Sequence, residues 1–306
     1  MAQYLVTGGA GFIGSHLVDS LVQDGHDVKV IDDLSSGKKA NLDSRAHLIE
    51  ENILNRAALE SALENIDCCF HLAAKPIVQD TILNWRHCSE VNLLATVSLF
   101  EAVAKLPKSG IPVVYASSCA VYGASGEQGV GIKESDSIDP QSPYAVDKYS
   151  CELHARAGGI TRGLKSLGAR FFNVYGERQD PRSPYSGVVS KFCENLKRKQ
   201  PLTIYGDGEQ TRDFIHVSDI VRLLRKAAAV ASNEAPVVNF GTGSSITINQ
   251  LAETLIDVSS VTVPVLKEKG RPGEVKFSQA NLDRLKGFIN PGPLGRIATR
   301  VKELLI

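Results

Sequence analysis

Thr7-Gly8-Gly9-Ala10-Gly11-Phe12-Ile13-Gly14 follows the apolar run Tyr4-Leu5-Val6 and opens the helical pattern of His16-Leu17-Val18 and Leu21-Val22. A strand, a glycine-rich turn and a helix, in that order, decide the fold. Gly9, Gly11 and Gly14 make the G-x-G-x-x-G spacing, and Gly8 adds the G-x-x-G-x-x-G variant, in the strand-to-helix context that gives the motif its meaning. Glycines permit the tight turn and let the backbone approach a pyrophosphate. The helix N-terminus then supplies N–H donors and a positive dipole. A plain glycine-rich turn is the alternative, and the acidic residue that follows argues against it. Asp32 ends the second predicted strand, close to the ~20-residue offset at which a carboxylate meets a dinucleotide ribose. It can accept from both ribose hydroxyls and repels a 2′-phosphate, which favours NAD over NADP; Lys38 and Lys39 nearby point the other way.

Outward from that turn, short β-branched runs alternate with amphipathic helical stretches. The pattern predicts strands at 4–7, 27–31, 47–50, 68–72, 113–116 and 169–174. Strands separated by helices imply an α/β fold, a Rossmann-type doubly wound parallel sheet. After Gly176 the pattern changes. Residues 177–185 are polar and Pro-containing, as expected of an active-site loop. A helix is predicted at 187–199, a strand at 202–205, a helix at 213–231 and a strand at 237–240 that returns to the large sheet. The expected division is a dinucleotide-binding domain at 1–175, with about 214–243 returning to it, and a smaller mixed α/β substrate-binding domain at 176–213 and 244–306.

Composition excludes several classes. The 306 residues are 43% hydrophobic and 22% charged, ordinary globular values, and the formal net charge is zero. The densest basic cluster, Lys197-Arg198-Lys199, reads as a solvated helix end, so no nucleic-acid partner is expected. No apolar stretch approaches the ~20 residues of a membrane span, and Met1-Ala2-Gln3 leads into a strand without a basic leader region. A soluble, cytoplasmic protein is expected. Six cysteines (Cys68, Cys69, Cys88, Cys119, Cys151, Cys193) show no C-x-x-C and no metal-ligand spacing. They read as reduced thiols, with no metal site.

The chemistry centres on Ser118, Tyr144 and Lys148. Positions i and i+4 share a helix face, so Tyr144 and Lys148 point the same way. An ammonium beside a phenol favours the phenolate and lowers a pKa that starts near ~10. That would give a base able to take a hydroxyl proton at neutral pH. Alone the spacing is a weak signal, since most such pairs are surface contacts worth roughly 0.3–0.5 kcal/mol; the dinucleotide turn upstream is what makes it informative.

With these residues in place, the chain resembles the extended short-chain dehydrogenase/reductase superfamily, and within it the UDP-hexose 4-epimerases. The likeness runs through His71-Leu72-Ala73-Ala74, Ser117-Ser118-Cys119-Ala120-Val121-Tyr122-Gly123, Ser142-Pro143-Tyr144-Ala145-Val146-Asp147-Lys148, Phe172-Asn173-Val174-Tyr175-Gly176, Tyr205-Gly206-Asp207-Gly208 to Arg212-Asp213-Phe214, and Arg271-Pro272-Gly273-Glu274. The resemblance implies Tyr144 as catalytic acid/base, Lys148 tuning it and holding the nicotinamide ribose, and Ser118 bonding the reacting O4. It implies NAD contacts along Gly8, Gly11, Phe12, Ile13, Gly14, Asp32, Asp33, Asn52, Ile53, Ala73 and Lys75, with Tyr144 and Lys148. Asn52 would meet the adenine amino group through its carbonyl oxygen. UDP-sugar contacts are implied at Ser118, Asn173, Val188, Tyr205, Arg212, Arg271, Glu274 and Ser278. Asn173 and Arg212, helped by Arg271, would hold the pyrophosphate, and Glu274 the uridine ribose. Guanidinium groups suit phosphates bidentately.

Ser278 falls where, by the same resemblance, a bulky tyrosine restricts the pocket to glucose and galactose and a small residue admits N-acetyl sugars. The implied activity is therefore 4-epimerisation of UDP-N-acetylglucosamine, and also of UDP-glucose, through a 4-keto intermediate with retained NAD. Another nucleotide-sugar dehydratase or reductase is the alternative. Dehydratases present Thr-Asp-Glu where this chain has Ser118, Cys119 and Ala120. A non-catalytic NAD-binding regulator predicts loss of the tyrosine or lysine, and both are present. The resemblance also implies a homodimer, pairing helices from about residue 90 to 105 and from 144 onward; Val97, Leu99 and Phe100 are candidate apolar contacts, the alternative being that they face the sheet.

Overall fold

Leu5, Val6 and Thr7 are buried at the end of the first strand, and the apolar stripe of Leu17, Val18, Leu21 and Val22 turns the following helix onto it. The computed structural model describes residues 1–76, 78–107, 110–181, 187–270 and 275–305, the side chains of 78–80 excepted. The chain runs β1 (Gln3–Thr7), α1 (Phe12–Gln23), β2 (Asp27–Ile31), β3 (His47–Ile49), α2 (Arg56–Ala62), β4 (Cys68–His71), α3 (Val78–Leu83) and α4 (Trp85–Ser89). A π-helical turn (Glu90–Leu94) leads into α5 (Ala95–Lys105), β5 (Val113–Ser118), α6 (Pro143–Arg162), β6 (Ser166–Phe171) and β7 (Asn173–Tyr175). Then come α7 (Val188–Lys197), β8 (Leu202–Tyr205), β9 (Thr211–His216), α8 (Val217–Ala227), β10 (Val237–Phe240), β11 (Ser245–Thr247), α9 (Ile248–Ser259) and β12 (Val265–Glu268), before short helices at the end.

The large sheet is parallel, in the order β10-β6-β5-β4-β1-β2-β3. Its strand order reverses between β1 and β4, the place where open α/β sheets bind ligands beyond their carboxyl ends. Register aligns those ends: Thr7 lies opposite both Ile31 and His71, and His71 opposite Tyr115. Gly8, Asp32, Leu72 and the end of β5 therefore emerge along one edge.

The chain divides into two units, one of Met1–Val121, Pro140–Arg170 and Val221–Val238, the other of Tyr122–Asp139, Phe171–Ile220 and Asn239–Ile306. The first is built around Leu5, Ile31, Leu59, Leu63, Cys69, Leu99, Phe100 and Val113, each large aliphatic or aromatic side chain worth about 1.5–3 kcal/mol when fully buried. Phe100 packs edge-on against Tyr115 at 5.3 Å between ring centres. In this unit α6 has clear punctuation. The Ser142 hydroxyl accepts from the Ala145 N–H, Pro143 begins the first turn, and Gly163 ends the helix at φ 67°.

The second unit has a three-stranded sheet, β11-β9-β7, and the parallel pair β12-β8. Phe192, Leu196, Leu202, Ile204, Phe214, Leu251 and Leu255 form its core, and a capping box of Thr247 and Gln250 starts α9.

Three expectations need correction. Residues 169–174 are not one strand: β6 ends at Phe171, and Asn173 pairs with Phe214 on β9 in a different sheet. The predicted helix at 213–231 begins as strand β9, because Phe214 and Ile215 go into an apolar core and Asp213 is fully buried, so only Val217–Ala227 is helical. Leu99 and Phe100 lie in the core of the first unit and are not available as dimer contacts. All six cysteines are free thiols. Among the described residues no helix is long and apolar enough to cross a membrane.

Candidate active site

The glycine turn is dictated by close approach. Gly8 has φ 69°, and a Cβ there would lie 2.7 Å from the Ala73 nitrogen, while a Cβ on Gly14 would lie 2.2 Å from the Gly8 carbonyl oxygen. Gly11 caps α1 with no side-chain hydrogen bond, leaving the first-turn N–H groups to a ligand. Phe12 and Ile13 open that helix. Asp32 accepts from the Ala10 N–H and from the Leu34 N–H, both at 2.9 Å. Burial raises its carboxyl pKa, against those two bonds. A carboxylate has about four lone-pair sites, so acceptor capacity remains for a diol.

Asp33 is exposed and takes the Ser35 hydroxyl, the Ser35 N–H and the Asn52 amide. Burial pushes its carboxyl up, but the Ser35 bonds and the Lys75 charge outweigh that and hold it below the usual range. The Asn52 carbonyl oxygen accepts from the Leu54 N–H at 2.9 Å, and Ile53 is buried in the core. Lys75 Nζ donates to Ser35 Oγ at 2.7 Å. The carboxylates as acceptors for ribose hydroxyls, with the uncapped N-terminus of α1 and this lysine as donors for phosphate, are what an adenine dinucleotide needs, so the residues present fit NAD.

Behind the turn lies a directed chain of hydrogen bonds. Thr7 Oγ1 accepts the N–H groups of Leu72 and Ala73, so its own proton goes to His71 Nδ1 at 2.7 Å. His71 Nε2–H then donates to Thr96 Oγ1 at 2.9 Å, which donates to the Asn92 carbonyl. These bonds assign the tautomer. Burial, with the Lys148 charge adding to it, drives the imidazole pKa down to about 3 and keeps the ring neutral.

Ser118 Oγ accepts the Ala120 N–H at 3.1 Å, and its side chain lowers the pKa of the Tyr144 phenol. Lys148 Nζ donates to the Ala116 carbonyl at 2.9 Å and sits 5.8 Å from the Tyr144 ring centre. Here the sequence expectation fails in sign. Burial pushes the Tyr144 phenol up to about 12, and only the Ser118 bond pulls against it. Desolvation of the hydroxyl dominates, and burial depresses the Lys148 ammonium as well.

In the second unit, Asn173 Nδ2 donates to the Asp213 carbonyl at 3.3 Å. Half-buried Arg212 donates to the Thr211 carbonyl. The Asp213 carboxylate points inward, accepting from Thr242, Gly243 and Ala280. Val188 opens α7, Tyr205 ends β8 partly exposed, and Ser278 is buried at 7% exposure. Arg271 and Glu274 lie outside the described residues.

Sequence reasoning missed Asn92. In the π-helical turn, its side chain donates to the Lys75 carbonyl and accepts the Lys75 N–H at 2.8 Å, while its carbonyl also takes the Cys151 thiol. No periodicity marks a π turn; a polar residue inside an apolar helical run was the one available signal.

Comparison with known proteins agrees with this geometry. The model of the NAD-dependent epimerase/dehydratase family matches residues 4–241. The UDP-glucose 4-epimerase of Azospirillum brasilense is 31% identical over 299 residues, covering 92% of this chain and 84% of that one. A structure of UDP-N-acetylglucosamine 4-epimerase from Methanobrevibacter ruminantium M1, in complex with UDP-N-acetylmuramic acid, is 37% identical with a TM-score of 0.92 over 99% of this chain and 97% of that one. The NAD-dependent NDP-hexosamine 5,6-dehydratase TunA, of tunicamycin biosynthesis, is 29% identical with a TM-score of 0.88 over 100% of this chain and 97% of that one.

Proposed function

The chain belongs to the NAD-dependent epimerase/dehydratase family, and we propose that it inverts C4 of a UDP-hexose, acting on UDP-N-acetylglucosamine and on UDP-glucose. The observation that carries this reading is Lys148, held on the Ala116 carbonyl two residues before Ser118 and 5.8 Å from the Tyr144 ring centre. It gives this reading its proton-transfer group, Tyr144. Dehydration needs another acid/base, and Cys119 and Ala120, which follow Ser118, offer no carboxyl group.

Tyr144 Oη takes the proton of the sugar O4 and returns it once the ring has presented its other face. Ser118 Oγ orients O4, and Lys148 contributes positive charge from a fixed perch on the Ala116 carbonyl. Gly8, Gly11, Phe12, Ile13, Gly14, Asp32, Asp33, Asn52, Ile53, Ala73 and Lys75 hold NAD. Bound NAD supplies the acceptor for the C4 hydride and, when oxidised, a positive charge that favours phenolate. Asn173, Val188, Tyr205 and Arg212, with Arg271 and Glu274, hold UDP; Ser278, a small side chain, leaves room for a C2 acetamido group. In this reading residues 1–175, with about 214–243, serve NAD, the remainder serves the UDP-sugar, and the protein works as a homodimer.

The test is to incubate the purified protein with each sugar nucleotide and resolve the products. Formation of the galacto epimers from both is expected; a dehydrated product, or none, contradicts the reading.

A further inference from the structure

Glu152 and Arg170 form an ion pair whose side chains are only 5% and 4% exposed. Arg170 donates from Nε to Glu152 Oε1 at 2.9 Å and from its terminal nitrogen to Oε2 at 2.6 Å, a bidentate fork. The Ser117 hydroxyl completes the set, donating to Oε1 at 2.5 Å. Nothing in the reaction above uses these three residues.

A buried pair of this kind is poor value as a stabiliser. Desolvating two charges cancels much of their attraction, and an apolar pair of similar volume commonly does as well or better. Its distinctive property is geometry, because a guanidinium fork on a carboxylate fixes direction as well as distance. Location says what that geometry governs. Tyr144, Lys148 and Glu152 are spaced i, i+4, i+8 along α6 and share one face. Ser117 precedes Ser118 on β5, and Arg170 lies on β6, the neighbour of β5. One carboxylate thus ties the third turn of the tyrosine-bearing helix to two adjacent strands, one of them at the residue before the serine that meets the phenol.

We propose that Glu152 and Arg170, together with Ser117, are positioning residues that set the register of α6 against β5 and thereby hold Tyr144 against Ser118. A helix advances about 1.5 Å per residue, so slippage by one position carries the Tyr144 hydroxyl away from Ser118. The other tie, Lys148 to the Ala116 carbonyl, runs through a flexible four-carbon stem ending in a point charge, and does not fix register.

The effect on turnover rests on the 4-epimerase reading; the effect on geometry does not. Two variants test both. Glu152→Asp keeps both charges and withdraws the carboxylate by one methylene. Ser117→Ala removes one hydroxyl and leaves the ion pair, so the fold survives. Each is compared with the unmodified, NAD-loaded protein for kcat, KM and the pH profile of kcat. Tyrosine labelled with 13C at Cζ adds a nuclear magnetic resonance signal for Tyr144, assigned with Tyr144→Phe. Misplacement near 1 Å costs on the order of 100-fold. Glu152→Asp is expected to lower kcat about 10- to 100-fold, with KM within about twofold. It should also move the acid limb of the profile to higher pH, since the lost Ser118 bond is the one that lowers the phenol pKa, and shift the Tyr144 resonance. Ser117→Ala should do the same to a smaller degree. If both variants keep the unmodified kcat, pH profile and Tyr144 resonance, the proposal is overturned. Should the unmodified protein epimerise nothing, the functional reading fails, and the resonance alone decides the positioning claim.

Discussion

Lys148 Nζ lies 5.8 Å from the centre of the Tyr144 ring and spends a hydrogen bond on the Ala116 carbonyl instead of the phenol. Burial pushes the phenol up to about 12, and Ser118 is the group that pulls against it. Tyr144→Phe removes the proton acceptor and keeps the ring. It is expected to retain fold and NAD while losing roughly 10²–10⁴-fold in kcat; steady-state assay of the variant checks this, and turnover near the unmodified rate would refute the assignment.

His71 sets a pH limit on stability. Its pKa is near ~6.5 in the unfolded chain and is driven down to about 3 in the fold by burial. Between those values the unfolded chain binds a proton that the folded one refuses, so stability falls on acidification through this window, by up to about 1.4 kcal/mol per pH unit. His71→Gln can bond both threonines but cannot titrate. Urea unfolding at pH 7 and pH 5 should show a smaller loss for the variant than for the unmodified protein. An equal loss in both would mean that His71 does not carry the effect.

Much of this was legible in the chain. The glycine turn, Asp32 and the Ser118, Tyr144 and Lys148 set lie in local patterns whose geometry is fixed by helix and strand periodicity; the structure places Gly8, Asp32 and Ser118 at the carboxyl ends of the strands, with Lys148 of α6 bonded to the Ala116 carbonyl. The sign of the Tyr144 shift was not legible, because an i, i+4 spacing gives the shared face and says nothing of how deeply the hydroxyl is buried. Strand β9 was mistaken for helix because the charged Asp213 reads as surface. Its burial depends on Thr242, Gly243 and Ala280, which are distant in sequence.

The proposed dimer has a surface to use on the helices the resemblance implies, though not through Leu99 and Phe100. Val146, Leu153 and Ile160 are exposed on α6 at a heptad interval, and Leu94 is exposed on the π turn. Ile160→Glu combined with Leu153→Glu should convert a dimer to a monomer by light scattering while leaving the circular dichroism spectrum unchanged. An unmodified protein that is already monomeric at micromolar concentration would rule the dimer out.

Ser278 tests the sugar assignment. Ser278→Tyr is expected to abolish turnover of UDP-N-acetylglucosamine and spare UDP-glucose, read as separate kcat/KM values. Turnover of both substrates left unchanged would place Ser278 outside the sugar pocket.

The central claim is that the C4 hydrogen leaves the sugar as hydride and returns to it, while only the O4 proton passes through Tyr144. The direct measurement uses UDP-glucose carrying deuterium at C4, incubated with the protein in ordinary water and analysed by mass spectrometry and nuclear magnetic resonance. The account predicts UDP-galactose that retains the deuterium at C4. Epimerised product that has exchanged its label for solvent hydrogen would contradict it.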